Sequence, residues 1–243
     1  VELTDTPYLA FVDADVFLSP DWTTSMVDVL KNNPKVILTA AKQRGSDKQT
    51  IVEKIRVSIG NTEGGVFVSS LPGHNLFLSR EAYYKVKGFP EHLKTCEDYF
   101  FTTSLAELGC LYIAKTGWYI HNGEDRTFSQ VFQKEYWRAS SNLLSLRNRN
   151  VRLHEYPSII LPFWFLFAII VLFIGLFSCS LSKILIGLLM YILPIIYYSY
   201  RLIKKSADCN WLYIFYYYLL YHTSRSFGSL MGLLFACKGN FKR

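Results

Sequence analysis

The feature that most constrains this 243-residue chain is a long apolar segment without a charged side chain, from residue 158 to residue 177. An α-helix needs about 20 apolar residues to cross the hydrocarbon core of a bilayer. A second apolar segment, residues 181–203, follows after a short polar break and carries its charges near its ends. The two segments predict a helical hairpin in a membrane. A buried helix pair in a soluble protein is the alternative, which uncharged runs of this length disfavour.

A third segment, residues 211–236, is also long enough to span a bilayer, but it carries His222 and Arg225 near its middle. An arginine at the centre of a spanning helix is costly in lipid. Gly228 and Gly232 form a GxxxG pattern, which allows close contact between helices. We predict a third helix packed against the other two, and a re-entrant or interfacial path stays open as the alternative.

The chain has a net charge of +7, and some of its basic residues form clusters that flank the apolar segments. Three of them, Arg147, Arg149 and Arg152, lie before the first segment. Three others, Arg201, Lys204 and Lys205, lie at or after the end of the second. Lys and Arg concentrated beside membrane segments are typical of cytoplasmic flanks, so we predict that both ends of the hairpin are cytoplasmic. Residues 238–243 are basic as well. The basic residues do not alternate with aromatic residues along one candidate surface, and no nucleic-acid partner is expected.

The five cysteines show no pattern of a zinc or redox site. They are Cys96, Cys110, Cys179, Cys209 and Cys237, and no two have the CxxC spacing. We expect free thiols in a reducing compartment or in lipid.

The first 155 residues hold nearly all of the acidic side chains and have the pattern of a globular α/β domain. Residues 8–12 form an uninterrupted apolar run, typical of a central parallel strand covered on both faces. Asp13 and Asp15 follow at once and project to the same side, because side chains alternate along an extended chain. The carboxyl ends of parallel strands bind ligands in α/β sheets. Paired carboxylates there suit a hard divalent cation shared with phosphate oxygens; the alternative is that they only cap a turn.

A second acidic pair, Glu97 and Asp98, opens a helical pattern that ends at Gly109. Acids at this position complement the helix dipole and need no further role. The functional alternative is a general base at the helix N-terminus, which removes the proton from an attacking hydroxyl. Upstream, residues 60–73 contain four glycines and a proline around a short strand, which indicates a loop near a site.

Residues 128–146 predict an amphipathic helix directly before the first apolar segment. Its apolar positions are Phe128, Val131, Phe132, Trp137, Leu143 and Leu144. A basic helix rich in aromatic residues at this place is also consistent with a simple interfacial anchor.

Taken in order, four stretches of the sequence resemble glycosyltransferase family 2, a large family of inverting transferases with the GT-A fold. They are YLAFVDADVFLSPDW (8–22), GHNLFLSREAYYKVKGFPE (73–91), TCEDYFFTTSLAELG (95–109) and FSQVFQKEYWRASSN (128–142). The resemblance implies an α/β fold: a partial GT-A domain with a Rossmann-like mixed sheet over residues 1–155, then a C-terminal α-helical transmembrane region over residues 156–243. That region would hold two or three helices, near 158–177, 181–203 and 211–236.

The resemblance also implies residue roles. Asp13 and Asp15 would hold Mg²⁺ or Mn²⁺ against the diphosphate of a nucleotide-sugar donor, so that the ion assists departure of the nucleotide. Asp98 would be the base that activates the acceptor hydroxyl, and Glu97 would support it or contact the acceptor. The residues on the acceptor side would be Gly73, His74, Asn75 and Trp137. His121 is a further candidate metal ligand, since some GT-A enzymes use a late histidine.

Two departures from the family pattern bear on the implied activity. Processive synthases carry a Q-x-x-R-W motif before the membrane; here Gln133 begins the motif, Tyr136 replaces its arginine, and Arg138 follows Trp137. Arg138 is therefore a candidate contact to the donor diphosphate, while processivity is not implied. Family members also carry a nucleotide-base-binding half before the Asp-x-Asp. We expect that half to be missing here, so that the fragment alone is inactive.

The implied function is inverting transfer of a sugar from a nucleotide-sugar donor to a lipid-linked or cell-surface glycan acceptor. The expected place is the cytoplasmic face of a membrane, the plasma membrane of a bacterium, with membrane lipid as a partner and cell-envelope polysaccharide biosynthesis as the setting. Two alternatives stay open: direct glycosylation of a lipid such as a ceramide or polyprenyl phosphate, and a non-catalytic membrane scaffold that retains the fold. The intact carboxylates disfavour the scaffold.

Overall fold

The computed structural model describes residues 1, 3–60, 62–91, 93, 95–145, 151, 153–205 and 209–237. The basic flanks at Arg147, Arg149, Arg152 and residues 238–243, on which part of the topology prediction rests, lie outside the described residues.

The chain folds into two compact units. The first, called the sheet unit, contains Val1–Gln49 and Ile59–Glu124. The second, called the helical unit, contains Thr50–Ser58 and Asp125–Arg243. A division of function near residue 155, between a catalytic part and a membrane part, stays a prediction.

A mixed sheet with flanking helices forms the sheet unit. In chain order the elements up to residue 121 are β1 (Tyr8–Val12), β2 (Val16–Leu18), α1 (Trp22–Asn32), β3 (Val36–Gln43), α2 (Ile51–Gly60), β4 (Val66–Val68), β5 (Asn75–Ser79), α3 (Arg80–Lys85), α4 (Glu97–Ala106) and β6 (Cys110–His121). The strand order is β1-β5-β3-β6-β2, and β4 also pairs with β6. β3 and β6 are parallel and the other pairs are antiparallel. The predicted α/β fold with a mixed sheet is confirmed.

The prediction for residues 8–12 is wrong in one respect, because β1 is not a central parallel strand. Among the described strands it lies at one edge of the sheet and pairs antiparallel with β5, from Tyr8 opposite Ser79 to Val12 opposite Asn75. Of its five residues only Leu9 is buried. An apolar run indicates that a strand is partly covered but not which strands neighbour it, since strand pairing is non-local.

β5 contributes to the core on both faces of the sheet. Leu76 and Leu78 point to the face covered by α3 and α4, where they belong to one apolar cluster with Phe101. Phe77, between them, packs on the opposite face against Trp22 of α1. Burying one such side chain stabilises the fold by roughly 1.5–3 kcal/mol. A one-residue slip would move each of them to the opposite face, away from its packing partners, so this alternation determines the register of β5 and the position of the residues just before it.

The helical unit contains α5 (Phe128–Ser145), a 3₁₀ turn (Leu153–Glu155), α6 (Tyr156–Phe177), α7 (Leu181–Lys205) and α8 (Trp211–Cys237), together with the first part of α2. Within the described part of the chain, α6 and α7 are long and apolar enough to cross a membrane. α8 is a third continuous helix that packs against α5, α6 and α7. Whether these helices span a bilayer stays a prediction.

The GxxxG pattern of α8 faces α5. A Cβ atom added at Gly228 would clash with the carbonyl oxygen of Tyr136, and one added at Gly232 would lie 2.6 Å from the carbonyl oxygen of Ser140. Both glycines therefore allow the backbones of α5 and α8 to approach more closely than any side chain would permit.

Candidate functional site

Two carboxylates lie in the short connection between β1 and β2. Asp13 follows the last residue of β1, and the Val16 amide donates a hydrogen bond to the Asp13 carbonyl at 3.1 Å. The Asp15 carbonyl accepts a hydrogen bond from the Asn122 amide at 2.8 Å. The carboxylates of Asp13 and Asp15 are about half exposed, at 50% and 48%. They therefore remain open to a ligand from solvent.

The pairing of β1 with β5 brings His74 to Asp13. Val12 is opposite Asn75, and the Asp13 amide donates to the His74 carbonyl at 3.2 Å. The His74 Nδ1 atom lies 2.9 Å from Asp13 Oδ2. His74 is predicted on the acceptor side, and its ring lies against the first carboxylate.

The pairing of β2 with β6 brings His121 to the same place. Val16 is opposite His121, and His121 Nε2 lies 3.3 Å from Asp15 Oδ2. The rings of His74 and His121 are 4.4 Å apart. Among the described residues, Asp13, His74 and His121 form a group whose potential metal-binding atoms all lie within 4.8 Å of one another. Two imidazoles and two carboxylates are a donor set that fits a divalent metal ion.

A second layer of polar side chains lies behind His121. Glu124 Oε1 is 3.3 Å from His121 Nδ1 and accepts a hydrogen bond from Gln43 Nε2 at 3.2 Å. The side chains of His121 and Glu124 are only 8% and 9% exposed. Neither Glu124 nor Gln43 is among the predicted site residues. The i, i+3 spacing from His121 is a local signal for Glu124, whereas Gln43 reaches the site only through the pairing of β3 with β6.

Two further groups shape this end of the sheet. A Cβ atom added at Gly123 would overlap the carboxylate of Asp15, so glycine is needed beside that side chain. Burial raises the pKa of the Tyr119 hydroxyl, and the negative charges of Glu124 and Asp13 raise it further. Tyr119 thus stays neutral near neutral pH, where its hydroxyl can take part in hydrogen bonds.

Asp98 lies in the first turn of α4 and is joined to the segment that carries His74. Its Oδ2 accepts a hydrogen bond from the Gly73 amide at 3.2 Å, and its Oδ1 accepts one from the Tyr99 amide at 2.7 Å. A Cβ atom added at Gly73 would lie 3.2 Å from the Asp98 Cβ. Glu97, one residue earlier, is exposed. The backbone thus orients the Asp98 carboxylate, while Glu97 extends into solvent.

Three more of the predicted site residues have contacts of their own. Asn75 is completely buried, and its Oδ1 accepts hydrogen bonds from Trp22 Nε1 at 3.0 Å and from the Ala41 amide at 2.7 Å. Trp137 and Arg138 belong to α5 of the helical unit, where Arg138 Nη1 donates to Glu135 Oε1 at 2.8 Å. Trp137 is exposed. The structure therefore brings Asp13, Asp15, His74 and His121 together in the sheet unit and leaves these three in other surroundings.

A cavity in the sheet unit lies under the glycine-rich segment. Its lining includes Ser70, Leu71 and Pro72 from that segment, Gln43 at the end of β3, and Tyr119 of β6. Gln43 also binds Glu124, and the Tyr119 ring is 6.1 Å from the His74 ring. The cavity is thus adjacent to the polar layer behind the carboxylates.

Comparisons with known proteins agree with this description. Residues 1–90 match the family model described as glycosyl transferase family 2. No curated protein sequence matches the chain. One similar solved structure is the mannosyltransferase PcManGT from Pyrobaculum calidifontis in complex with GDP-Man and Mn²⁺. It matches with a TM-score of 0.59 and 13% identity, over 96% of this chain and 64% of that chain. S. aureus TarS in complex with UDP-GlcNAc matches with a TM-score of 0.35 and 12% identity, covering 100% of this chain and 71% of that chain.

The chain covers 64% of the length of the mannosyltransferase. At 13% identity that likeness concerns the fold. The family match covers the Asp-x-Asp and His74, and the mixed sheet supplies the fold around them. Residues 1–90 therefore resemble glycosyl transferase family 2 in sequence, and the chain shares its fold with the mannosyltransferase structure.

Proposed function

We propose that this chain is part of a glycosyltransferase that moves a sugar from a nucleotide-sugar donor with the help of a divalent metal ion. The observation that carries the proposal is the grouping of Asp13 and Asp15 with two histidines, inside a family 2 domain. The GDP-Man and Mn²⁺ bound by the Pyrobaculum mannosyltransferase support a donor and a metal of these classes.

Asp13 and Asp15 would hold the metal ion, and His74 and His121 are near enough to join them. When bound, such an ion supplies Lewis-acid stabilisation of the negative charge on a departing nucleoside diphosphate. Glu124, which lies 3.3 Å from His121 Nδ1 and is bound by Gln43, would position the His121 ring from behind. Gly123 leaves room for the Asp15 carboxylate.

Asp98 is the proposed general base. Its two carboxylate oxygens each accept one backbone hydrogen bond, which orients the group without neutralising it. In the reaction the acceptor hydroxyl would transfer its proton to Asp98 as its oxygen attacks the anomeric carbon. Attack on the side opposite the leaving diphosphate gives inversion. Glu97 is exposed beside Asp98 and is proposed to contact the acceptor.

The proposed acceptor is a lipid-linked or cell-surface glycan at the cytoplasmic face of a membrane. Two helices of the chain have the length and apolar composition of membrane spans, and Lys204 and Lys205 end α7. The same helices favour a second candidate, direct transfer to a lipid such as a polyprenyl phosphate or a ceramide. Gly73, whose amide donates to Asp98, and His74, the residue after it, are the proposed acceptor-side residues of the sheet unit.

The test is sugar transfer by the full-length protein in detergent, with a panel of nucleotide sugars and with or without Mn²⁺ or Mg²⁺. We expect metal-dependent turnover that Asp98→Asn abolishes while donor binding is retained. Asp28→Asn, on the exposed side of α1, is the matched control and should keep full activity. Absence of turnover with every donor, together with absence of metal binding, would favour a non-catalytic scaffold instead.

A further inference from the structure

We propose that α8 lies along the surface of the membrane and does not cross the bilayer. One apolar stripe of its side chains enters the acyl chains of a single leaflet, and α5 covers it on the water side. The inference rests on the membrane location given with the proposed function, but it does not depend on the transfer reaction. The partner of this surface is the lipid bilayer itself.

The polar side chains of α8 point into the helical unit. Arg225 is the only Lys, Arg, Asp or Glu between Trp211 and Cys237, and its side chain is 15% exposed and paired with Glu135 of α5. The serines on either side of Arg225 in the sequence, at 224 and 226, are completely buried. The exposed side chains of α8 are therefore uncharged.

An apolar stripe runs along the opposite side of α8. Its members are large and 39–48% exposed, and their spacings of three, four and eleven residues put them on one face of a helix. They are Tyr213, Tyr216, Phe227, Leu230 and Leu234. A helix at the surface of a soluble protein has the reverse arrangement, with its apolar face buried and its polar face in water. The pattern of α8 therefore fits contact with lipid.

α5 packs along α8 in the same direction, so the two helices share one orientation in the membrane. Near their starts, the ring centroids of Phe128 and Tyr216 are 4.8 Å apart. Near their ends, a Cβ atom added at Gly232 would lie 2.6 Å from the Ser140 carbonyl oxygen. A path of α8 across the bilayer would therefore take α5 into the bilayer as well.

The side of α5 that faces away from α8 is polar. Val131, Glu135 and Ala139 are buried at intervals of four residues, whereas Gln130 and Gln133 are exposed on the other side of the helix. Amide side chains in the hydrocarbon core would lose their hydrogen bonds to water. When the helix pair lies flat on the membrane, these amides face water and the apolar stripe of α8 faces the acyl chains.

The end of α7 indicates the level at which α8 meets the hairpin. Arg201 and Lys204 each lie over the ring of a tyrosine one turn earlier, and basic and tyrosine side chains collect at the boundary between lipid and water. Between these pairs, Tyr198 contacts Tyr218 of α8, with 5.7 Å between ring centroids. Tyr218 is already about 10 Å along the axis of α8, so the first part of this helix stays at the boundary.

The two other paths fit the helical unit less well. A re-entrant segment must turn back within the bilayer, whereas α8 is one unbroken helix from Trp211 to Cys237, about 40 Å long. A spanning path would place the exposed amides of α5 in lipid. The stacking of His222 on Phe165 is consistent with the surface path, because Phe165 lies in the first half of α6, on the side where α7 ends.

The first experiment compares the depths of the two ends of the stripe, using full-length protein in reconstituted bilayers. Tyr213→Cys and Leu234→Cys are each labelled with bimane, and quenching by nitroxides at shallow and deep positions of the acyl chains is measured. The two sites are about 32 Å apart along the helix, close to the thickness of a bilayer core of about 30 Å. We expect both labels to lie at the same shallow depth. Gln133→Cys is the matched control, and its label should be quenched by a water-soluble nitroxide instead.

Two results of the quenching experiment would overturn the inference. A depth that differs between the two sites by most of the bilayer core would mean that α8 crosses the membrane. Labels that no lipid nitroxide quenches would mean that protein, and not lipid, covers the stripe.

The second experiment separates this inference from the proposed membrane location of the hairpin. An impermeant maleimide is added to one side of oriented membranes that contain single-cysteine proteins. Native Cys179, exposed between α6 and α7, reports on the hairpin, and Asn210→Cys and Lys238→Cys report on the two sides of α8. We expect Asn210→Cys and Lys238→Cys to react from the same side, and Cys179 from the other.

The outcomes of the labelling distinguish the two failures. Reaction of Lys238→Cys from the Cys179 side would mean that α8 spans, so that the inference is wrong while the hairpin stands. Reaction of Cys179 from the same side as Asn210→Cys would mean that the hairpin does not span. In that case the membrane location given with the proposed function is wrong, and the inference falls with it.

Discussion

The carboxylate of Glu135 on α5 accepts a hydrogen bond from the guanidinium of Arg225 on α8, with 3.2 Å between Oε2 and Nη1. Arg56 and Arg138 contact the other oxygen of Glu135 at 3.4 Å and 2.8 Å. Arg225 also donates to the Tyr221 hydroxyl at 3.0 Å. The arginine that interrupts the third apolar segment thus has a buried acidic partner within the helical unit, which removes much of the penalty expected for it in an apolar environment.

Glu135→Gln is expected to destabilise the protein by roughly 3–5 kcal/mol, because it leaves three arginines around a neutral side chain. Glu135 is 1% exposed, so water cannot replace the lost charge. The measurement is the free energy of unfolding of the full-length protein in detergent. Glu81→Gln, which removes one partner of an exposed pair with Lys85, should leave the unfolding midpoint unchanged. If the Glu135 variant is as stable as the wild type, the network makes no net contribution to the free energy of unfolding.

Gly228→Ala is expected to destabilise the packing of α5 against α8 by about 1–3 kcal/mol, since the new methyl group would enter the space of the Tyr136 carbonyl. The check is the thermal midpoint together with limited proteolysis of the helical unit. Gly60→Ala is the matched control, because its added Cβ would meet no atom closer than 3.9 Å. A Gly228 variant as stable as wild type would show that the two helices can separate without loss.

Asn75→Ala is expected to cost about 1–3 kcal/mol for each of two buried donors that it leaves without an acceptor, Trp22 Nε1 and the Ala41 amide. Denaturant unfolding followed by tryptophan fluorescence, to which Trp22 contributes, is the measurement. Asn32→Ala, at the exposed end of α1, provides the comparison and should be close to neutral. If both variants behave alike, the Asn75 side chain is dispensable for the fold.

Gly73→Ala is expected to lower turnover by about tenfold or more while metal affinity stays unchanged, because a methyl group 3.2 Å from the Asp98 Cβ would displace the proposed base. A shift of about 1 Å at a reacting group can cost about 100-fold, and this contact requires only a few tenths of an ångström, so a loss near tenfold is expected. The measurement is kcat for the full-length protein beside a metal titration. Loss of metal binding in the same variant would mean that the His74 segment, rather than Asp98, had moved.

Local patterns predicted the elements whose signal lies within one stretch of chain. The absence of charge over residues 158–177 predicts a long apolar helix, and α6 covers that segment. Glu97 and Asp98 open α4 as the sequence indicates, with Cys96 before them in the left-handed conformation at a φ of 63°. These features depend on length, periodicity and capping, which act over a few residues.

Contacts between distant segments could not be predicted in this way. The apolar run at residues 8–12 indicates a strand, yet its place at the edge of the sheet depends on the register with β5, which packing of Leu76 and Leu78 determines. His74 meets Asp13 for the same reason.

Asp13 and Asp15 are recognisable as a pair of carboxylates after a strand from the order of residues alone, because alternation along an extended chain is a local property. That His74, His121 and Glu124 surround them is a property of the folded sheet. Strand pairing joins residues that are 61 positions apart in the case of Asp13 and His74, and the free energy that selects this pairing comes from the burial of apolar side chains elsewhere in the sheet.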